Sequence, residues 1–129
     1  MKLYVSEVSS ARVRADVGRA IRVATSRVAY PEARAAMARR RRERALTAGG
    51  LLRAVSDLDR DFSSLVIVEL AETLARRAGG LAEKHALRGF DAIHLTSALE
   101  LQDLLGEPVT FLAFDARLTA AAVAAGLQV

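Results

Sequence analysis

Three carboxylates stand near the predicted starts of helices, and they are the residues best suited to chemistry: Glu32, Asp91 and Asp115. Carboxylates that converge on one point repel each other unless a cation lies between them. Hard oxygen ligands suit Mg²⁺ or Mn²⁺, and such an ion activates water and stabilises the charge of a phosphodiester under attack. From spacing alone, helix capping by Asp115 and dipole stabilisation by Asp91 and Glu32 explain the pattern better than a metal site does.

His94 follows Asp91 by one helical turn, where a general base or a metal ligand would also fit. Its neighbours, such as Leu95 and Leu99, are core-like, so a packed and hydrogen-bonded histidine is the favoured interpretation. The chain has no cysteine, which excludes disulfides, zinc–thiolate sites and cysteine nucleophiles. It has neither the glycine-rich pattern of a phosphate loop nor a serine nucleophile elbow.

Residues 34–44, RAAMARRRRER, carry six Arg and one Glu, a net charge of +5 against +4 for the whole chain. Arginine makes bidentate contacts with phosphate, so we expect Arg39, Arg40, Arg41 and Arg42 to bind RNA or an acidic partner. A solvated helix face explains the run equally well. A DNA-binding helix is a third interpretation, but the clustered run places charge all round the helix instead of along one reading face.

The hydrophobic pattern predicts strands that alternate with helices. The strands are predicted over 21–25, 64–68 and 109–114. The helices are predicted over 6–20, 27–46 with Ser26 as N-cap, 51–60, 69–86, 90–105 and 116–125. This alternation is typical of an α/β fold in which helices cover both faces of a parallel sheet. Binding sites in such folds lie outside the carboxyl ends of the strands, which is where the three acids are expected to meet.

Length and composition limit the possible classes of protein. The 129 residues, 52% of them hydrophobic, fit one domain over 1–129. No run of about 18 apolar residues is present, so no membrane span is expected. The N-terminus has no apolar stretch typical of a signal peptide, and a cytoplasmic protein is the expected class.

Two segments carry a specific family resemblance. Residues 87–99, LRGFDAIHLTSAL, resemble the signature of VapC-type PIN domains, and residues 109–118, VTFLAFDARL, resemble the last strand of that family with its acid. Residues 25–34, TSRVAYPEAR, are similar to the surroundings of the family's second acid, although Pro31 is unusual there. Residues 2–7, KLYVSE, are similar to the stretch that follows the family's first strand. The resemblance covers essentially the whole chain.

The resemblance implies a PIN-like fold and a Mg²⁺- or Mn²⁺-dependent endoribonuclease, the toxin of a toxin–antitoxin pair. By motif match, Glu32, Asp91 and Asp115 correspond to three of the family's four catalytic and metal-binding acids. RNA is then the substrate, and a cognate antitoxin is the partner, bound partly through apolar helix surfaces near the N-terminus. Formation of a homodimer is also implied.

The sequence departs from the family at its front. The family's first strand and the Asp at its end are missing, and neither Glu7 nor Asp16 is placed to substitute. We therefore expect a sheet without its central strand, weak Mg²⁺ affinity and little cleavage, with a start codon assigned too far downstream as the preferred explanation. The alternative function is a PIN-like module that binds antitoxin or RNA without cleaving.

Overall fold

Four parallel strands and five helices form the part of the chain that this computed structural model describes, residues 2–3 and 22–129. The strands are β1 (Lys2–Leu3), β2 (Val23–Ser26), β3 (Val66–Val68) and β4 (Thr110–Phe111). The helices are α1 (Ala29–Arg42), α2 (Ala48–Ser64), α3 (Glu72–His85), α4 (Gly89–Leu105) and α5 (Ala116–Ala124). The helix predicted over 6–20 lies outside the described residues.

The sheet has the strand order β3-β2-β1-β4, and every pairing in it is parallel. Parallel neighbours require crossover connections, which are right-handed in almost all proteins. The connection from β2 to β3 and the connection from β3 to β4 run in opposite directions across the sheet. Their helices, α1 with α2 and α3 with α4, therefore lie on opposite faces. The predicted α/β class, with helices on both faces of a parallel sheet, is confirmed.

The central position of the sheet is filled by β1, contrary to the expectation of a missing strand. Lys2 pairs with Val23 on one side and with Thr110 on the other, and Leu3 pairs with Ala24 and Phe111. Without β1, the inner edges of β2 and β4 would carry unpaired backbone groups, which are costly when buried. The segment expected to follow the first strand thus supplies the central pairing itself.

The core is built around α4, which has eight buried residues: Ala92, His94, Leu95, Thr96, Ser97, Ala98, Leu99 and Leu101. It packs most extensively against α3 and also contacts β2. The hydroxyls of Thr96 and Ser97 each donate a 2.7 Å hydrogen bond to the carbonyl four residues earlier, so these polar groups are satisfied within the helix. Among the described helices, none is long and apolar enough to cross a membrane.

The start of α1 differs from the prediction. The N-cap is Val28 and not Ser26, although Ser26 accepts a 3.3 Å hydrogen bond from the Val28 N–H. Pro31 is the third residue of the helix, where a backbone N–H has no partner within the helix, so the proline removes no helical hydrogen bond. The helix places Glu32 in its first turn and Arg39 to Arg42 in its last.

Candidate functional site

The three predicted acids lie at the starts of three helices on the carboxyl side of the sheet. Glu32 stands in the first turn of α1, which follows β2, and Asp115 is the N-cap of α5, which follows β4. Asp91 stands in the first turn of α4. Helix α4 leads into the amino end of β4, so the start of α4 lies at the other end of the strands, the carboxyl end. All three acids are therefore at the edge where α/β proteins bind ligands.

Glu32 is held by His94, a contact between α1 and α4. His94 Nε2 lies 3.0 Å from Glu32 Oε2, and the exposed fractions of the two side chains are 8% and 32%. A carboxylate only accepts hydrogen bonds, so the imidazole N–H is the donor. The interpretation of His94 as a packed, hydrogen-bonded residue is correct. Its partner, however, is one of the predicted site acids, so the histidine also fixes part of the site.

Asp115 is held by the start of α5. Its Oδ1 accepts a 3.0 Å hydrogen bond from the Leu118 N–H, so Asp115 is the helix cap that its position suggested. This hydrogen bond is the main reason why the pKa of Asp115 is lowered, and desolvation opposes it more weakly. The Arg117 N–H and the charges of Arg88 and Arg117 lower the pKa of Asp115 further. The environment of Asp115 therefore favours its charged form.

Arg88 acts on the charges of both Asp91 and Asp115. Its Nε lies 3.7 Å from Asp91 Oδ2, and its positive charge also reaches Asp115, whose pKa it lowers. The side chain of Arg88 is 87% exposed and that of Asp91 is 29% exposed. Arg88 thus favours the charged forms of two acids at neighbouring helix starts while it remains open to solvent.

The donor chemistry of the three acids fits Mg²⁺ or Mn²⁺, because these ions prefer carboxylate oxygens. Glu32 and Asp91 are partly exposed and Asp115 is exposed, so all three are accessible. Within residues 22–129, however, no group of three or more His, Asp or Glu side chains is arranged to hold one ion. The predicted sharing of a single ion by all three acids is not built into this arrangement, and their assignment as ligands stays a prediction.

A fourth acid at the same edge was not predicted as part of the site. Glu69 directly follows β3 and accepts two hydrogen bonds, of 2.8 and 2.6 Å, from the Arg27 guanidinium that follows β2. This pairing lowers the pKa of Glu69. This ion pair joins the carboxyl ends of β2 and β3. Glu69 therefore connects two adjacent strands, and its carboxylate is already occupied by Arg27.

Sequence reasoning missed two contacts of the site, and the spacing of only one of them was visible. Arg88 precedes Asp91 by three residues, and His94 follows it by three, so all three lie on one face of the turn that begins α4. That spacing predicts an interaction between Arg88 and Asp91. It does not predict that His94 contacts Glu32, 62 residues away in sequence.

The arginine run lies apart from these acids. Arg39, Arg40, Arg41 and Arg42 are all exposed in the last turn of α1, and Arg39 forms a 3.0 Å ion pair with Glu43. No ion pair engages Arg40, Arg41 or Arg42 within residues 22–129. The helical rise places the run on the order of 10–15 Å along α1 from Glu32. The run is thus a largely unneutralised cationic surface within reach of a ligand that also contacts the acids.

Comparison with known proteins gives two curated relatives of this chain. Ribonuclease VapC45 of Mycobacterium tuberculosis (strain CDC 1551 / Oshkosh) and Ribonuclease VapC49 of M. tuberculosis (strain ATCC 25618 / H37Rv) are each 44% identical to it over 106 residues. The match covers 81% of this chain and 71% of each relative. No protein-family model matches the chain. The similarity to the two relatives extends over most of both proteins.

Proposed function

The chain belongs to the VapC ribonuclease family, and we propose that it is a metal-dependent endoribonuclease, the toxin of a toxin–antitoxin pair. The observation that carries this proposal is the placement of Glu32, Asp91 and Asp115 at three helix starts on one edge of a parallel sheet. Each acid has its own partner: His94 contacts Glu32, Arg88 contacts Asp91, and the Leu118 N–H donates to Asp115. The proposed reaction is hydrolysis of RNA phosphodiester bonds.

In the proposed mechanism, Glu32, Asp91 and Asp115 hold Mg²⁺ or Mn²⁺. A bound ion of this kind supplies a more acidic water and neutralises charge on the phosphate under attack. His94 orients the Glu32 carboxylate through its hydrogen bond. Arg88, whose side chain is 87% exposed and whose contact with Asp91 is 3.7 Å long, would be available to contact the phosphate of the substrate. A bound ion would then replace the positive charge of Arg88 beside Asp91.

The proposed partners follow from family membership and from charge. A cognate antitoxin is proposed because the family's members are toxins of such pairs, and RNA is the proposed substrate. Arg39, Arg40, Arg41 and Arg42 are proposed to contact RNA phosphates or an acidic stretch of the antitoxin, since they are exposed and largely unneutralised. The cytoplasm is the proposed location, and a homodimer is the proposed assembly.

A module that binds antitoxin or RNA without cleaving is the second candidate function. It is favoured by one observation, namely that residues 22–129 contain no ready-made cluster of three metal ligands. In that case the acids serve only as the cap and ion-pair groups that they already are. The two functions differ in whether a divalent ion binds and in whether RNA is cut.

The deciding experiment compares the wild-type chain with Asp91→Asn in Mn²⁺ binding and in cleavage of a labelled RNA, with EDTA as a metal-free reference. Asp61→Asn is the matched control, because Asp61 is an exposed aspartate on α2. We expect the wild-type and control chains to cleave only with metal and slowly, since the family's first acid is missing, and Asp91→Asn to fold but not to cleave. Mn²⁺-independent RNA binding without cleavage by the wild-type chain would support the non-catalytic module. Unchanged cleavage by Asp91→Asn would remove Asp91 from the site.

A further inference from the structure

Two half-exposed phenylalanines directly precede two of the site acids in sequence. Phe90 is 57% exposed and directly precedes Asp91, and Phe114 is 52% exposed and directly precedes Asp115. The other two phenylalanines of the chain are packed: Phe111 is 1% exposed in the core, and the Phe62 ring meets the Tyr30 ring edge-on at 5.3 Å. Both phenylalanines that the fold leaves open thus stand next to a predicted site acid.

The segments that carry these two rings lie side by side. A guanidinium nitrogen of Arg117, at the start of α5, donates a 3.3 Å hydrogen bond to the Ala86 carbonyl, just before the start of α4. The charge of Arg88, two residues before Phe90, also lowers the pKa of Asp115, which agrees with this proximity. The rings therefore project from adjacent helix starts and not from distant surfaces.

Two exposed arginines stand close to the rings in sequence. Arg88 precedes Phe90 by two residues and is 87% exposed, and Arg117 follows Phe114 by three. An exposed aromatic ring beside an arginine suits a ligand that offers both a flat apolar face and a negative charge. Unpaired nucleotides have this combination, because each base presents a π-face for stacking and each phosphate a charge. In duplex RNA the base faces are stacked on one another, so they are not available to stack on the phenylalanine rings.

We infer that Phe90 and Phe114 are base-stacking residues that hold unpaired nucleotides on either side of the acidic site, with Arg88 and Arg117 on the adjoining phosphates. This inference rests on the proposed function in that the ligand is RNA, but it does not depend on metal binding or cleavage. It names residues for substrate binding, next to the acids proposed for chemistry. The two rings select single-stranded over duplex RNA through stacking, which tolerates any base.

The experiment measures binding of a short unstructured RNA by fluorescence anisotropy, in EDTA so that no cleavage occurs. Phe90→Leu and Phe114→Leu keep an apolar side chain but remove the ring, whereas Phe90→Trp and Phe114→Trp keep an aromatic face. Leu104→Ala is the control, because Leu104 is 83% exposed at the far end of α4. We expect each leucine variant to weaken binding on the order of tenfold. The tryptophan variants and the control should bind like the wild-type chain.

A second ligand separates stacking from charge. An oligonucleotide of the same length with abasic sites keeps the phosphates but offers no base to stack. The wild-type chain should bind it more weakly than the intact RNA, and this difference should be smaller in each leucine variant, which keeps only one of the two rings. The salt dependence of binding should stay unchanged in the leucine variants and flatten in Arg88→Gln and Arg117→Gln, since only the arginines contact phosphate.

Several outcomes would overturn the inference, and they are distinguishable. If the wild-type chain binds RNA and the leucine variants bind it equally well, the stacking role is wrong while the proposed function stands. If those variants instead lose only the antitoxin, the rings belong to the partner interface. If the wild-type chain binds no RNA with or without Mn²⁺, both the inference and the proposed function fail.

Discussion

His94 Nε2 lies 3.0 Å from Glu32 Oε2, and this hydrogen bond joins the first buried polar side chain of α4 to the first turn of α1. The histidine is almost fully enclosed, whereas the carboxylate is about one third exposed. One end of the pair is therefore fixed by the core and the other faces solvent. The arrangement gives a site acid a defined orientation without any metal.

We predict that His94 and Glu32 are energetically coupled. Replacing His94 with Leu removes the donor and replacing Glu32 with Ala removes the acceptor, so a double-mutant cycle isolates the pair. We expect a coupling of about 1–3 kcal/mol in the free energy of unfolding, as for a partly buried hydrogen bond to a charged group. Chemical denaturation of the two single variants and the double variant measures it.

The same variants separate positioning from mere stability. If His94 orients Glu32, then His94→Gln should keep more of the wild-type Mn²⁺ affinity than His94→Leu, because its amide still donates a hydrogen bond. The two variants are compared at equal folded fraction. A cycle whose energies are simply additive would show that the 3.0 Å hydrogen bond carries no coupling. Equal Mn²⁺ affinity in the Gln and Leu variants would remove the positioning role.

The second prediction concerns the acid stability of the Asp115 cap. The folded state lowers the pKa of Asp115, chiefly through the Leu118 N–H, so the ionised group stabilises the fold above its ordinary pKa of 3.8. That stabilisation is lost as the pH falls through the lowered value. Asp115→Asn keeps an N-cap acceptor but no titrating group. Its free energy of unfolding should therefore fall less steeply with decreasing pH than that of the wild-type chain.

Asp115→Ala is the companion variant for this measurement, because it removes the cap as well as the charge. Near pH 7 it should melt below Asp115→Asn, and in acid its pH dependence should be as shallow. Thermal melts from pH 7 down to about pH 2 follow both effects. An Asn variant with the same acid slope as the wild-type chain would contradict the assignment of the lowered pKa to this group.

The third prediction concerns the arginine run at the end of α1. Replacing Arg39, Arg40, Arg41 and Arg42 together with Gln should weaken RNA binding. It should also flatten the salt dependence, by about 0.7 units of log–log slope for each phosphate of a single strand that the variant no longer neutralises. The matched control replaces four exposed arginines from other parts of the chain: Arg22, Arg53, Arg60 and Arg76. Both variants lose four charges, so a difference between them reports location and not net charge.

If the two quadruple variants bind RNA with equal affinity and equal salt slope, the run is only a solvated helix face. If RNA binding is unchanged but the antitoxin no longer binds, the run belongs to the partner interface. Anisotropy titrations at several salt concentrations distinguish these results. The folded state should persist throughout, because the four side chains are exposed and α1 buries only Ala29 and Ala33.

The fourth prediction concerns the short central strand β1. Removing residues 1–3 takes away the strand that pairs with both β2 and β4. Each buried backbone group left without a partner costs about 1–3 kcal/mol, so we expect a loss of several kcal/mol in the free energy of unfolding. Faster amide hydrogen exchange along β2 should accompany it. Removal of the exposed Val129 is the control and should change neither quantity. An unchanged melting temperature after removal of 1–3 would contradict the central role of β1.

Helices α4 and α2 show which helix bounds the local sequence pattern predicts. The apolar run predicted a helix over 90–105, and the structure has it over 89–105, ending at Gly106 in the left-handed conformation. Helix α2 is longer than predicted, 48–64 instead of 51–60. The Thr47 hydroxyl caps it by accepting a 2.9 Å hydrogen bond from the Gly50 N–H, so the two glycines lie within its first turn. The hydrophobic pattern predicted that each segment forms a helix, whereas the residue at which α2 begins depends on capping by Thr47.

Strand lengths were less predictable than strand positions. The stretch 109–114 was predicted as a strand, but only Thr110 and Phe111 pair as β4. The length of β4 matches that of its neighbour β1, which offers only two residues for pairing. On the other side, Phe111 donates a 2.7 Å hydrogen bond to the Gln128 carbonyl. A strand's extent therefore depends on what lies beside it, which its own residues do not encode.

The sequence by itself determined the parallel α/β class, the order of elements over residues 22–129 and the position of three acids at helix starts. These follow from periodicity and capping, which act over a few neighbouring residues. Only the tertiary structure decided that His94 holds Glu32, that Arg88 acts on both Asp91 and Asp115, and that β1 fills the centre of the sheet. Those relationships join residues from separate elements, and their geometry is set by how the helices pack on the sheet.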